Sequence, residues 1–107
     1  MADHDLLVLG GGTGGYAAAF RASQLGKRVA LIEQAKVGGT CLHWGCIPAK
    51  AMLETGDLLA KIGKASDFGI QITPATGIDA TVVGARRDKI VARMHAGLKS
   101  LFKKNNV

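Results

Sequence analysis

The sequence predicts an α/β fold, a parallel sheet with flanking helices, on three observations. Two four-residue apolar runs lie at 6–9 and 29–32, a glycine cluster directly follows the first, and an alanine-rich stretch separates them. Leu6-Leu7-Val8-Leu9 stops at Gly10, and an unbroken apolar run of this kind predicts a strand buried on both faces. From Gly14 to Leu25 the chain reads as helix, with Gly26 placed to stop it. Val29-Ala30-Leu31-Ile32 then ends at Glu33. Strand, glycine turn, helix and strand make a βαβ unit.

Pro48 is tolerated only in a first helical turn, so the next helix is expected to start close to Cys46 and run to Ile62. Phe68 to Gly77, with Ile70-Gln71-Ile72 alternating and Pro74 breaking, reads as an irregular connection with room for a short strand. Asp79 is suited to cap a long last helix whose apolar face comprises Val83, Ile90, Val91, Met94, Leu98, Leu101 and Phe102.

At 107 residues the chain is long enough for one compact domain with a real core and too short for a two-domain enzyme. Two neighbouring cysteines, with no others, do not form the framework of a secreted disulfide scaffold. The start Met1-Ala2-Asp3-His4-Asp5 is acidic where a leader would be basic, which points to the cytoplasm. No apolar stretch reaches the roughly eighteen residues of a membrane span. The net charge is +6, and half of the fourteen basic residues lie between Arg86 and Lys104. That charge is read as a solvated helix face rather than a nucleic-acid site.

Gly10-Gly11-Gly12-Thr13-Gly14-Gly15 satisfies G-x-G-x-x-G, with Gly10, Gly12 and Gly15 as its glycines. Gly10 permits the tight turn, Gly12 the approach of a pyrophosphate, and Gly15 close packing of helix on strand. The helix N-terminus offers free N–H groups and a positive dipole end. Glu33, closing the second strand, is suited to accept hydrogen bonds from ribose hydroxyls. Together these predict a Rossmann-like dinucleotide site, and the motif alone does not separate FAD from NAD.

Cys41 and Cys46 are the only cysteines. Residues five apart in a straight helix have Cα atoms about 8 to 9 Å apart, whereas a disulfide tolerates about 7 Å. If the two bond, the chain between them must leave helix geometry, and Gly45 is the residue that permits it. A bridge over so short a loop constrains the unfolded chain little, so redox chemistry is its better explanation. Zinc ligation by Cys41, His43, Cys46 and His4 is the competing reading, at a spacing that matches no standard finger, and two buried structural thiols are another. Cys46 at the start of a helix would have its thiolate favoured. His95 reads as a surface or boundary histidine, and Trp44 and Tyr16 as packing residues, with bordering a substrate channel as the second reading of Trp44.

The fingerprint, Glu33 and the run Gly38-Gly39-Thr40-Cys41-Leu42-His43-Trp44-Gly45-Cys46-Ile47-Pro48-Ala49-Lys50 together resemble the flavin disulfide reductases. Their redox segment, G-G-T-C-x-x-x-x-G-C-[IV]-P, is matched at every fixed position. Leu42, Ile47 and Lys50 look like the dihydrolipoamide dehydrogenase branch, as against the glutathione and mercuric reductases. His43-Trp44 in place of the common Asn-Val, and Ala49 in place of serine, are departures. The resemblance implies FAD on the Gly10–Gly15 turn, with Glu33 on the ribose and Gly38, Gly39, Thr40 and Lys50 lining the site. It implies that Cys41 meets the substrate, that Cys46 stands beside the flavin, and that electrons go on to NAD⁺. It further implies a lipoyl-bearing partner in a 2-oxoacid dehydrogenase complex, and a homodimer whose catalytic histidine lies in an interface domain. On this resemblance residues 1–107 are expected to be the N-terminal segment of an incomplete FAD-binding domain, without nicotinamide and interface domains. Such a fragment would not turn over alone and would self-associate through open sheet edges. A dinucleotide-binding module with no redox role is the alternative.

Overall fold

The structure, a computed structural model, describes residues 3–73 and 77–107. The expectations placed on Met1, Ala2 and Pro74 therefore lie outside the described residues. Strand β1 (Leu6–Leu9) pairs in parallel with β2 (Val29–Ile32), Leu6 opposite Val29 and Leu9 opposite Ile32. Asp5 fastens the start of the pair: its carboxylate accepts from the Arg28 N–H at 2.9 Å and from the guanidinium at 3.1 Å. The Arg28 hydrogen bond holds that carboxyl down at about 2.

Helix α1 (Thr13–Gln24) connects the strands and buries Ala19 completely. It stops through the bonding that glycine makes possible: Gly26 has φ +80°, Gly26 N–H donates to Ser23 O and Lys27 N–H to Ala22 O. Both strands, this helix and the Rossmann-like class agree with the sequence reading.

Helices α2 (Gly39–His43) and α3 (Cys46–Gly63) follow, then a 3₁₀ turn at Ala65–Phe68 and helix α4 (Ala80–Lys104). Residues 70–73 carry no regular structure. Asp79 caps α4, its carboxylate accepting from the N–H groups of Thr81 and Val82. α4 runs antiparallel to α3: Arg86 reaches the Ala51 carbonyl at 2.8 Å, and farther along His95 meets His43. Its C-terminal end returns to α1, where Phe102 packs edge-on against Phe20 with ring centres 4.8 Å apart. Ser23 hydroxyl and the Asn105 carbonyl hydrogen-bond there as well.

Two expectations fail. The compact core is absent: the buried hydrophobic residues among those described are Ala19, Val29, Leu42, Ala51, Ala65 and Leu98, and no large side chain is fully enclosed. The molecule extends 71 × 25 × 18 Å with a radius of gyration of 20.2 Å, against about 13 Å for a compact domain of this length. Nor is β1 buried on both faces, since Leu7 is 62% and Leu9 86% exposed. The cause is geometric. A sheet of two strands has one face covered by α1, while the α3–α4 pair projects as a rod, a 25-residue helix being about 37 Å long. On α4, Leu98 is buried as expected, but Met94 and Leu101 stay about half exposed.

Candidate functional site

The site begins where β1 ends. Gly10 adopts φ +99°, reversing the chain, and its N–H completes the ladder to Ile32 O at 2.8 Å. A Cβ on Gly15 would collide with the Gly10 carbonyl oxygen, so the helix can approach the turn this closely only with glycine there. A Cβ on Gly12 or Gly14 would point into open space, and no side chain caps the first turn of α1. The free N–H groups of a twelve-residue helix thus face an open approach, a cradle that fits a diphosphate.

Glu33 does more than the sequence suggested. Its Oε2 accepts from Gly11 N–H at 2.7 Å and its Oε1 from Ala35 N–H at 2.9 Å, so the carboxylate locks the glycine turn onto the end of β2. Each oxygen retains a lone pair for a ribose hydroxyl. The Ala35 bond first, then the Gly11 bond, hold its carboxyl below the ordinary glutamate range, against the opposing effect of burial. A depressed carboxylate stabilises the fold above its unfolded value, about 4.3, and the contribution is lost as pH falls through the lower folded value. The amide resonances of Gly11 and Ala35 are therefore expected to stay constant from neutral pH to about 5 and to move together below the ordinary range. In Glu33→Gln this joint titration should vanish; its persistence would assign it to another group.

The second half of the site is docked on the turn. Gly38 N–H donates to Gly11 O at 2.7 Å, and a Cβ on Gly39 would lie 2.7 Å from Gly12 Cα. Gly38 and Gly39 have φ +119° and +65°, which bring the chain into α2. Thr40 is exposed beside them.

Cys41 and Cys46 form a disulfide, with Cα atoms 4.6 Å apart, roughly half the helical separation. The helix breaks at Trp44 and Gly45, and α3 begins afresh at Cys46. Gly45 is favoured for space rather than for a left-handed backbone: its φ is −126°, and a Cβ would sit tightly against Thr40 O at 3.1 Å and beside Cys41 Cα at 3.4 Å. Pro48 sits in the first turn of α3, where its missing N–H costs no helical bond. With both sulfurs bonded to each other, neither is available as a zinc ligand. Among the described residues no group of three or more His, Cys, Asp or Glu is placed to hold a metal.

The two sulfurs have different surroundings. Cys41 is half-buried and lines a cavity of about 480 Å³ with Leu42, Ile47, Met94, Leu98 and Leu101. Cys46 is exposed at the positive end of an eighteen-residue helix, and Lys50 lies one turn farther along, also exposed. Trp44 contacts the His43 ring but is 67% exposed, and it lines a second cavity of about 790 Å³ together with residues of α3 and α4. Tyr16 does pack, against Phe20. His95 takes the boundary position among the two expected for it: it is half-buried and reaches the Val37 carbonyl, as does His43. Sequence offers no signal for this contact, which joins residues 58 apart.

Comparison with known proteins places this site in a family. The chain matches the pyridine nucleotide-disulphide oxidoreductase family over residues 4–107. It is 42% identical to a dihydrolipoyl dehydrogenase of Bacillus subtilis over 98% of the chain and 22% of that protein. To dihydrolipoyl dehydrogenases of Zymomonas mobilis and Thermus scotoductus it is 44% and 42% identical, over all of the chain and 23% of each. The chain spans less than a quarter of the length of these curated relatives. With its glycine turn, clamping glutamate and docked disulfide, and matched along nearly its whole length, the chain belongs to the pyridine nucleotide-disulphide oxidoreductase family.

Proposed function

We propose that this chain forms the FAD-binding, disulfide-bearing segment of a dihydrolipoamide dehydrogenase. The observation that carries the reading is the Cys41–Cys46 disulfide held between the uncapped start of α1 and an apolar cavity. Gly10, Gly12 and Gly15 would admit the diphosphate of FAD, Glu33 would take the ribose, and Gly38, Gly39, Thr40 and Lys50 would border the cofactor. Bound FAD would supply the two-electron acceptor that reoxidises the dithiol and passes the pair as hydride to NAD⁺.

The disulfide itself performs the first half of the reaction. A dihydrolipoamide thiolate attacks Cys41 Sγ, a substrate–Cys41 bond forms, and the Cys41–Cys46 bond breaks with Cys46 leaving as thiolate. The positive end of α3 favours that leaving group. The second substrate thiol then closes the lipoamide ring and releases Cys41, so two electrons enter the pair and two protons are left with protein and solvent. The cavity beside Cys41 supports a lipoyl chain over glutathione: apolar side chains make up most of its wall, Arg93 is its one charged residue, and glutathione would bring three charged groups. The base that makes the first thiolate, the nicotinamide site, the homodimer and the 2-oxoacid dehydrogenase complex enter this proposal through the resemblance to the flavin disulfide reductases, and a cytoplasmic setting is proposed beside them. No helix among the described residues is long and apolar enough to cross a membrane. Each strand of the sheet leaves one edge unpaired, which supports self-association of the isolated chain.

The test is a visible spectrum of the chain reconstituted with FAD, before and after dihydrolipoamide. A new long-wavelength band from a thiolate beside the flavin is expected. Bound flavin with an unchanged spectrum would leave a dinucleotide-binding module, and a band produced by reduced glutathione but not by dihydrolipoamide would reassign the substrate.

A further inference from the structure

One peptide group stands where three segments meet. The Val37 carbonyl accepts from His43 Nε2 at 3.0 Å and from His95 Nδ1 at 3.2 Å. The amide of the same peptide, Gly38 N–H, donates to the Gly11 carbonyl at 2.7 Å. A carbonyl oxygen only accepts, so both ring nitrogens carry hydrogen, and the two donors fill its two lone pairs. The imidazoles stand edge to face, their centres 5.0 Å apart. Gly11 belongs to the glycine turn, His43 to α2, and His95 to α4. Gly38 is buried and packs so closely that a Cβ there would collide with Leu42, so movement of this peptide is passed directly to α2.

We propose that His43 and His95 are positioning residues for the Cys41–Cys46 disulfide, acting by holding the Val37–Gly38 peptide and through it α2 against the glycine turn. Neither ring needs to touch sulfur. Two thiols held at bonding distance re-form their bond readily, whereas slack in α2 lowers the effective concentration of Cys41 for Cys46 and makes the disulfide easier to reduce. Helix α4 thus helps set the reducing strength of the pair although it contributes no cysteine. The inference deepens the proposed redox function and rests on it for its importance, but its test needs no flavin, nicotinamide or substrate, so the two can fail separately.

The test is the equilibrium of the purified chain with dithiothreitol, scored by thiol alkylation. His95→Leu is expected to lower the ratio of disulfide to dithiol roughly fivefold, the size that follows from losing one partly buried hydrogen bond. His95→Asn, whose amide places an N–H near the lost Nδ1, is expected to recover the ratio to within about twofold. An unchanged equilibrium in His95→Leu with wild-type helix content would overturn the proposal. So would an asparagine variant that behaves like leucine, since the effect would then belong to ring packing. A second measurement holds even where the leucine variant fails to fold. Imidazole nitrogen resonances of the unsubstituted chain should show His95 with hydrogen on Nδ1 and His43 with hydrogen on Nε2, and the opposite tautomer at His95 would overturn the proposal.

Discussion

Serine at either Cys41 or Cys46 is expected to abolish oxidation of dihydrolipoamide by this chain, down from one equivalent per disulfide. The loss is complete rather than graded because one sulfur alone has no bond to exchange. The two variants should nevertheless differ. In Cys41→Ser the remaining thiol, Cys46, is exposed at the start of α3, where the helix end favours the thiolate. In Cys46→Ser the remaining thiol is half-buried in an apolar cavity on a five-residue helix. Alkylation near neutral pH should therefore run roughly tenfold faster in Cys41→Ser. Equal rates, or the reverse order, would remove the basis for assigning Cys41 to substrate and Cys46 to the flavin.

Alanine at Gly39 should produce the second largest effect, through the cofactor rather than the sulfur. The position has φ +65°, and its Cβ would lie 2.7 Å from Gly12 Cα. Two backbones meet there, so no flexible side chain can yield. A left-handed alanine costs about 1 kcal/mol or more, and overpacking typically adds about 1 to 3 kcal/mol. Relief comes only by parting α2 from the turn that is proposed to hold the diphosphate. FAD affinity is expected to fall by about a hundredfold, which corresponds to roughly 3 kcal/mol. Gly56→Ala is the control: the site is exposed on α3 with open space around it, and helix propensity predicts a gain of up to about 1 kcal/mol. Titration of flavin fluorescence should show FAD affinity unchanged in Gly56→Ala, and a Gly39→Ala chain that binds FAD within about twofold of the unsubstituted one would contradict the docking of α2 on the glycine turn.

Where a signal is contained within a few neighbouring residues, it is legible in the amino-acid sequence. The strands Leu6–Leu9 and Val29–Ile32, the stop at Gly26, the cap at Asp79 and the start of α3 near Cys46 all follow from propensity and turn chemistry over one or two turns of chain. The glycine turn, Glu33 and the cysteine run are legible for the same reason, their chemistry being written in spacing.

Burial is not legible in that way. An apolar run says that Leu7 and Leu9 favour cover, not that cover is present, and the two-stranded sheet leaves them exposed. Nor is the second use of Glu33, whose carboxylate reaches an amide 22 residues away. The amino-acid sequence alone settles the βαβ unit, the long helices and the two cysteines for which redox chemistry is proposed, because local sterics and residue chemistry decide those. Tertiary structure alone decided that Gly45 matters for space, that Cys41 faces a cavity while Cys46 faces outward, and that two histidines from different helices meet on one carbonyl. Those are properties of surfaces brought together in three dimensions, and neither local periodicity nor spacing encodes them.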